Sequence, residues 1–193
     1  MSFIITAYYT KNTLYEKHAQ VLKESLEKFS IPHYIHPIDS LGSWQKNTQF
    51  KPIFLLEMLD RFPYTDIVYV DCDAVFQSYP VLFDSLDCTI GVHMLDHSKY
   101  LHRTKQPELL SGTIFLKNSI TSRLLLGRWI TECNKYPNMW DQKVLQRVIG
   151  CDFYNLPEEY CTIFDYMSTV KNPVVIHYQA SRTVRKNKGN LTI

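Results

Sequence analysis

Apolar and polar positions follow a regular order along the first 76 residues. Short apolar runs predict strands at residues 3–8, 32–36 and 66–70. Between them, apolar residues recur at steps of three and four over about 12–29 and 50–62, the spacing of a helix with one buried face. Because strands and helices alternate in this rhythm, the pattern predicts a parallel sheet with crossover helices.

The pattern is less regular in the second part of the chain. It predicts strands at 89–94, 112–116, 152–154 and 174–177, helices at 120–131 and 140–148, and a polar loop around 42–44. The sequence contains no internal repeat and no change of composition that would mark a domain boundary, and 193 residues suit one domain. We therefore predict a single α/β domain whose mixed, mainly parallel sheet is flanked by helices.

The charge of the chain excludes some classes of partner. With 21 basic and 19 acidic residues, the net charge is +2, too balanced to favour nucleic acid or an anionic membrane surface. The N-terminal apolar run is too short for a signal peptide, and no run approaches the roughly 20 apolar residues that span a bilayer. We therefore predict no nucleic-acid partner and no transmembrane segment.

The cysteines give information on the cellular compartment. There are five, an odd number, at wide spacings and without a CxxC pair. A structural zinc site is therefore not expected. Reduced thiols are typical of cytosolic proteins, so the composition predicts a cytoplasmic location.

Two aspartates flank one residue directly after the strand predicted at 66–70. Asp71 and Asp73 follow this apolar run, and a further apolar run begins at Ala74. Ligands of open α/β sheets bind beyond the carboxyl ends of the strands, where both carboxylates are expected to lie. Mg²⁺ and Mn²⁺ prefer oxygen ligands and can bridge a protein to phosphate oxygens. The motif predicts a divalent-cation site; the alternative is a pair of surface carboxylates in a turn, where Asp is common.

Five short motifs occur at residues 51–56, 67–76, 111–116, 140–145 and 176–178. They read KPIFLL, IVYVDCDAVF, SGTIFL, WDQKVL and IHY. In this order they resemble the motifs of GT-A nucleotide-diphospho-sugar transferases, and they are most similar to the pattern of glycosyltransferase family 8.

The resemblance implies a fold and an activity. It implies one GT-A (Rossmann-like) domain over residues 1–193, with a nucleotide-binding half at 1–76 and a sugar and acceptor half at 77–193. It also implies transfer of a sugar from a nucleotide-diphosphate sugar, a UDP-sugar, to an acceptor hydroxyl, with Mn²⁺ or Mg²⁺ as cofactor. The acceptor, a glycan, a lipid-linked molecule or a protein, stays open.

The resemblance further implies roles for individual residues. Asp73 and His177 would bind the cation together with the donor diphosphate, and Asp71 would contact the cation or the ribose. Asp141 and Gln142 would lie at the donor sugar and the reacting carbon. The other residues implied to bind the donor are Thr6, Ala7, Tyr8, Lys51, Cys72, Gly112 and Arg182.

Several of these assignments have a purely structural alternative. Tyr8 would stack on the base or pack in the core. Lys51 would face the phosphates or the donor sugar, or lie on the surface near a helix start. Gly112 would let the backbone approach the sugar closely, or mark a strand irregularity. His177 would bind the cation or be a core histidine, and Asp141 would act on the sugar or only cap a helix.

The tail departs from the family pattern. Ala180 and Thr183 stand where the family has glycine and lysine. Two arginines nearby, Arg182 and Arg185, would hold the diphosphate instead. The alternative is a solvated terminus, because the tail carries basic residues and no acid after His177.

Two other classes of function fit the same residues. One is a metal-dependent phosphatase or nucleotidyltransferase, and the other is an inactive module that binds nucleotide sugars. A haloacid-dehalogenase-like phosphatase has its DxD after the first strand and before Thr or Ser, whereas here the motif follows a later strand and precedes Ala74. For a transferase that inverts, Asp141 is the candidate base, with Asp152 behind it; for one that retains, Asp141 or Gln142 would face the sugar.

Overall fold

The structure is a computed structural model that describes residues 2–100, 106–150 and 152–180. In these ranges the strands are β1 (Phe3–Thr10), β2 (His33–Ile38), β3 (Asp66–Val70), β4 (Ala74–Phe76), β5 (Ile90–Leu95), β6 (Glu108–Leu116), β7 (Tyr154–Asn155), β8 (Thr162–Ile163) and β9 (Val175–His177). The α-helices are α1 (Leu14–Lys28), α2 (Trp44–Gln49), α3 (Lys51–Arg61), α4 (Ile120–Lys135) and α5 (Asp141–Val148). None of the described helices is long and apolar enough to cross a membrane.

The central sheet has the strand order β2-β1-β3-β6-β5-β7. Strands β2, β1 and β3 are mutually parallel, and β7 is parallel to β5. Strand β6 runs antiparallel to both of its neighbours, β3 and β5. This arrangement confirms the predicted α/β domain with a mixed, mainly parallel sheet. A small second sheet, β4-β9-β8, pairs Ala74 with His177.

Both faces of the central sheet are covered, which explains why its strands are apolar on both sides. Helices α3, α4 and α5 cover one face, and their fully buried Phe54 and Trp129 belong to the same core cluster as Ile67. Helix α1 and the small sheet cover the other face, where Leu22 and Val68 belong to one cluster. Burial of each such side chain contributes roughly 1.5–3 kcal/mol to stability.

Strand β6 is irregular where it passes the end of β3. Gly91 of β5 pairs with Phe115, and His93 of β5 pairs with Leu110. Only Val92 of β5 therefore lies opposite residues 111–114 of β6. Such a bulge re-aims the side chains that follow it. As a result, Ser111 faces the α3 and α5 layer, whereas Thr113, two residues later, faces the β8 and β9 layer.

The structure differs from the predicted elements in two places that matter for the site. The polar loop predicted around 42–44 leads directly into α2, which begins after Ser43. The Ser43 hydroxyl accepts a hydrogen bond from the backbone N–H of Lys46. None of the α2 residues is buried, so no apolar period marks the helix. Strand β6 begins at Glu108 instead of Gly112, because polar residues interrupt its apolar run.

Candidate functional site

A cavity of about 300 Å³ opens at the carboxyl ends of β1 and β3. Seven of the residues predicted to belong to the site line it: Tyr8, Lys51, Asp71, Cys72, Asp73, Asp141 and Gln142. Thr6 and Ala7 are fully buried inside the sheet and are not part of the cavity wall. Arg182 lies outside the described residues.

Three of the predicted residues form a group suited to a cation. Asp71, Asp73 and His177 each offer one ligand atom, and these atoms lie within 4.8 Å of one another. The fold brings them together because β3 ends just before Asp71, while β9 pairs with β4 and carries His177 opposite Ala74. The backbone N–H of Ala180 donates a hydrogen bond to Asp73 Oδ2 at 2.8 Å and holds that carboxylate in place.

The hydrogen bonds around His177 determine which ring nitrogen carries a lone pair. The Thr113 hydroxyl has one hydrogen, which it donates to the backbone carbonyl of Tyr160 at 2.9 Å. The same oxygen lies 2.8 Å from His177 Nε2 and therefore accepts the hydrogen of that nitrogen. In the neutral imidazole, Nδ1 then has only its lone pair to offer.

This lone pair faces a carboxylate. His177 Nδ1 is buried, lies 3.5 Å from Asp73 Oδ1, and has no hydrogen-bond partner among the described residues. Two electron-rich groups at this distance repel each other, and a cation between them turns the repulsion into coordination. One nitrogen and two carboxylates are ligands that Mn²⁺ accepts, so the residues present fit a divalent cation.

The two aspartates differ in protonation behaviour. Burial raises the pKa of Asp71 above its usual value, although the Lys51 ammonium opposes the shift. Burial also acts to raise the pKa of Asp73, but the nearby His177 ring and the hydrogen bond from the Ala180 N–H lower it below its usual value. Asp73 is therefore held as the charged form that a cation needs.

An ion-pair cluster around the buried Lys51 and Asp141 adjoins the candidate cation ligands and shares Asp71 with them. Lys51 Nζ is 2.8 Å from Asp141 Oδ2 and 3.1 Å from Asp71 Oδ1, and it donates to the backbone carbonyl of Ser111 at 3.0 Å. The Ser111 hydroxyl donates to Asp141 Oδ2 at 3.0 Å. Burial acts to lower the pKa of Lys51, but the neighbouring carboxylates of Asp141 and Asp71 raise it by more. The pKa of Lys51 therefore lies above its usual value.

The cluster changes two interpretations of the sequence. The interpretation of Asp141 as a helix cap is wrong, because α5 begins at Asp141, its N-cap is Trp140, and the Asp141 carboxylate is bonded to Lys51 and Ser111. The alternative of Lys51 as a surface residue is also wrong, since only 4% of its side chain is exposed.

Comparison with protein families determines the class of the chain. A family model described as nucleotide-diphospho-sugar transferase matches residues 42–188, which include all three candidate cation ligands. The chain belongs to this family. A comparison with curated proteins found no match.

Solved structures share the fold of this transferase. A glycosyltransferase involved in the glycosylation of the major capsid of PBCV-1 matches with a TM-score of 0.68 at 14% identity, covering 100% of both chains. The galactosyltransferase LgtC, in complex with donor and acceptor sugar analogs, gives 0.65 at 12% identity, covering 99% of this chain and 97% of LgtC. Glycosyltransferase GlyE of Streptococcus pneumoniae TIGR4 gives 0.63 at 14% identity, covering 92% of this chain and 54% of GlyE. At these identities the likeness shows the fold, which is GT-A.

The aromatic wall of the transferase cavity differs from the sequence expectation. Tyr8 lines the cavity but is only 8% exposed; its hydroxyl donates to the backbone carbonyl of Asn47 at 2.8 Å, and its ring packs against Phe54. Sequence reasoning did not assign the other aromatic residues that line the cavity, namely Tyr9, Tyr15, Trp44, Tyr69 and Trp140. Trp44 and Trp140 come from different helix starts and meet only in the fold, with ring centroids 6.3 Å apart.

Gly112 has a different neighbour from the one expected. A Cβ built on Gly112 would lie 3.1 Å from His177 Cε1, 3.3 Å from His177 Nδ1 and 3.4 Å from Asp71 Oδ2. In the transferase the missing side chain therefore makes room for two candidate cation ligands.

Gly112→Ala is expected to weaken Mn²⁺ binding by about tenfold, because the new methyl group displaces the imidazole of His177. Calorimetric titration of the metal-free transferase with Mn²⁺ measures this effect. Gly127→Ala is the control, since a Cβ at Gly127 in α4 meets nothing within 4 Å and alanine adds up to about 1 kcal/mol of helix stability. Equal Mn²⁺ affinity in both variants would contradict the crowding of the ligands.

Proposed function

We propose that the protein transfers a sugar from a UDP-sugar to an acceptor hydroxyl with the help of Mn²⁺ or Mg²⁺. Asp71, Asp73 and His177 would hold the cation. The observation that carries this proposal is the buried His177 Nδ1, which has no hydrogen-bond partner among the described residues and lies 3.5 Å from Asp73 Oδ1 beside the cavity. A structural histidine would turn a hydrogen-bond donor towards a carboxylate, whereas a cation ligand turns a lone pair.

Sugar transfer breaks the bond between the anomeric carbon and the diphosphate, and negative charge grows on the leaving oxygen. A bound divalent cation supplies Lewis-acid stabilisation of that charge. The chain contributes fixed groups that do not have to reorganise during the reaction. His177 is held by Thr113, and Asp73 is held by the backbone of Ala180.

The donor sugar would lie on the other side of the cavity, against Asp141 and Gln142. Asp141 Oδ2 accepts hydrogen bonds from both Lys51 and Ser111, so this carboxylate is fixed in direction. We infer that it binds the sugar and stabilises positive charge at the reacting carbon. Lys51 would hold Asp71 and Asp141 in place rather than contact phosphate itself, because its ammonium is already surrounded by their oxygens and those of Ser111.

The proposal divides the domain by task. Residues 1–76 would form the nucleotide-binding half, which supplies both aspartates of the DxD motif and, apart from Trp140, the aromatic wall. Residues 77–193 would form the sugar and acceptor half, which supplies Asp141 and Gln142, and the acceptor would be a glycan, a lipid-linked molecule or a protein. A cytoplasmic location belongs to the same proposal and fits the free thiols of the described cysteines.

A thermal-shift panel with Mn²⁺ tests the nucleotide. A ligand at about 100 times its Kd adds roughly 2.7 kcal/mol to the free energy of unfolding, so UDP is expected to raise the Tm clearly. EDTA is expected to remove most of this shift, because the diphosphate binds through the cation. A rise with GDP and none with UDP would contradict the uridine preference.

Product analysis then tests the reaction. Slow hydrolysis of a UDP-sugar by a glycosyltransferase releases UDP and free sugar, whereas an enzyme that cleaves the diphosphate linkage releases UMP and sugar 1-phosphate. We expect UDP and sugar, with release dependent on Mn²⁺. Binding of UDP without turnover of any UDP-sugar or acceptor would identify an inactive binding module instead.

A further inference from the structure

We propose that Glu108 and His97 are positioning residues that fix the carboxamide of Gln142 in one orientation at the cavity. This inference rests on the proposed function, in which Gln142 contacts the donor sugar. Glu108 is the first residue of β6, and His97 lies in a short 3₁₀ helix after β5. The resemblance to known transferases did not point to either residue.

The two ends of the Gln142 carboxamide have different partners. Its Nε2 donates to Glu108 Oε1 at 2.9 Å, and its Oε1 accepts from the backbone N–H of Ser111 at 3.3 Å. An ionised carboxylate only accepts hydrogen bonds and a backbone N–H only donates. A flipped amide would oppose two acceptors at one end and two donors at the other, so only one orientation is satisfied.

A buried histidine holds Glu108 in turn. His97 is 5% exposed, and its Nε2 lies 3.2 Å from Glu108 Oε2. Because the carboxylate accepts, Nε2 carries the hydrogen, and in the neutral ring Nδ1 accepts from the Tyr166 hydroxyl at 2.7 Å. Every hydrogen bond from Tyr166 through His97 and Glu108 to Gln142 then has one donor and one acceptor. We call these four residues the orienting relay.

A second glutamine on the same helix makes hydrogen bonds that serve structure alone. Gln146 lies one turn after Gln142 in α5; its Oε1 accepts from the N–H of Leu109, and its Nε2 donates to the carbonyl of Pro107. These hydrogen bonds link α5 to the start of β6, and their partners on that side are backbone groups alone. The orienting relay adds a carboxylate and a buried imidazole, and it does so at the glutamine that lines the cavity.

The relay has a consequence for the substrate. With one N–H and one lone pair already engaged, Gln142 has one further N–H and one further lone pair to offer, each in a fixed direction. A carboxamide that could flip would present donor and acceptor interchangeably to the sugar. A carboxamide that is already fixed costs less entropy to order in the reactive complex. Loss of the relay is therefore expected to lower kcat more than it lowers nucleotide affinity.

Glu108→Leu tests the relay, because leucine has a similar size and accepts no hydrogen bond. We expect kcat for Mn²⁺-dependent hydrolysis to fall about ten- to a hundredfold, while the Kd for UDP stays within about twofold. The substrate is the best one from a panel of UDP-hexoses and UDP-N-acetylhexosamines. The matched control is Gln146→Leu, which removes the hydrogen bonds of the neighbouring glutamine and is expected to retain kcat. An equal loss in both variants, or full kcat in Glu108→Leu, would overturn the proposal.

Glu108→Gln is the conservative variant. Its carbonyl oxygen can still accept from Gln142, and its NH₂ can donate to His97, whose imidazole takes the other tautomer and donates to Tyr166. We therefore expect Glu108→Gln to restore kcat to within about threefold of the native value. A loss as large as that of Glu108→Leu would overturn the orienting role.

A spectroscopic measurement separates this inference from the proposed function. The side-chain NH₂ of Gln142, assigned by its loss in Gln142→Leu, is expected to exchange slowly in the native protein and quickly in Glu108→Leu. If the protein turns over no UDP-sugar but this difference is seen, the proposed function fails and the relay stands. If turnover is normal and exchange is equally fast in both proteins, the relay fails alone.

Discussion

Asp73→Ala is expected to lower metal-stimulated sugar transfer by about a thousandfold. Asp73 is the carboxylate with the lowered pKa, and it shares the cation site with Asp71 and His177. A bound cation contributes several kcal/mol to stabilisation of the leaving group, and each 1.36 kcal/mol corresponds to tenfold in rate. The measurement is initial rate against Mn²⁺ concentration, in which the native enzyme saturates and the variant stays near its metal-free rate.

Asp73→Asn separates loss of the cation from loss of local structure. The asparagine oxygen can still accept from the Ala180 N–H, as Asp73 Oδ2 does at 2.8 Å, but it brings no charge. We expect a native-like Tm and a rate as low as that of the alanine variant. Asp39→Ala, at a largely exposed surface carboxylate, is the control with unchanged Mn²⁺ response. Normal Mn²⁺ stimulation of either Asp73 variant would exclude Asp73 as a ligand.

Lys51→Met is expected to lower the free energy of unfolding by about 3–5 kcal/mol. Lys51 is 3% exposed, and its ammonium lies between Asp141 and Asp71. Methionine fills a similar volume but leaves the buried Asp141 carboxylate without its cationic partner. Removal of one partner from a buried ion pair costs much more than the pair itself contributes. Urea unfolding followed by circular dichroism measures the change.

The control for Lys51→Met is Lys23→Met, which breaks the exposed pair of Lys23 and Glu27 on α1 and is expected to cost less than about 1 kcal/mol. In the double variant Lys51→Met/Asp141→Asn, the unpaired charge is removed as well. The loss of stability is therefore expected to be smaller than the sum of the two single losses. Additive losses, or a small effect of Lys51→Met alone, would show that the ammonium does not hold the two carboxylates.

Local patterns in the sequence were sufficient to predict the position of two of the three candidate cation ligands. The apolar run that ends at Val70 predicts a buried strand, and the strand end fixes where Asp71 and Asp73 emerge. His177 was indicated by the resemblance of residues 176–178 to a family motif, not by a local pattern alone. The two aspartates depend on a strand end, which a hydrophobic pattern marks clearly.

The parts that the sequence did not predict depend on tertiary contacts. Helix α2 has no buried residue, so its position beside the cavity leaves no periodic signal. Glu108 and Ser111 are polar residues within a strand, and they are tolerated there because Gln142 and Lys51 satisfy them across the interface with α5 and α3. Nothing in the spacing of Lys51 and Asp141, 90 residues apart, indicates that they form one ion pair.

The bulge in β6 makes one short stretch of backbone a common frame for the candidate cation site and the proposed sugar site. Ser111 reaches the sugar side through Asp141, and Thr113 reaches the cation side through His177. An insertion or deletion between them is expected to turn at least one of the two side chains away from its partner, because the direction of each depends on the bulge. Engineering of a new donor or acceptor preference should therefore start at the cavity rim around Trp44 and Trp140, which carries no part of this frame.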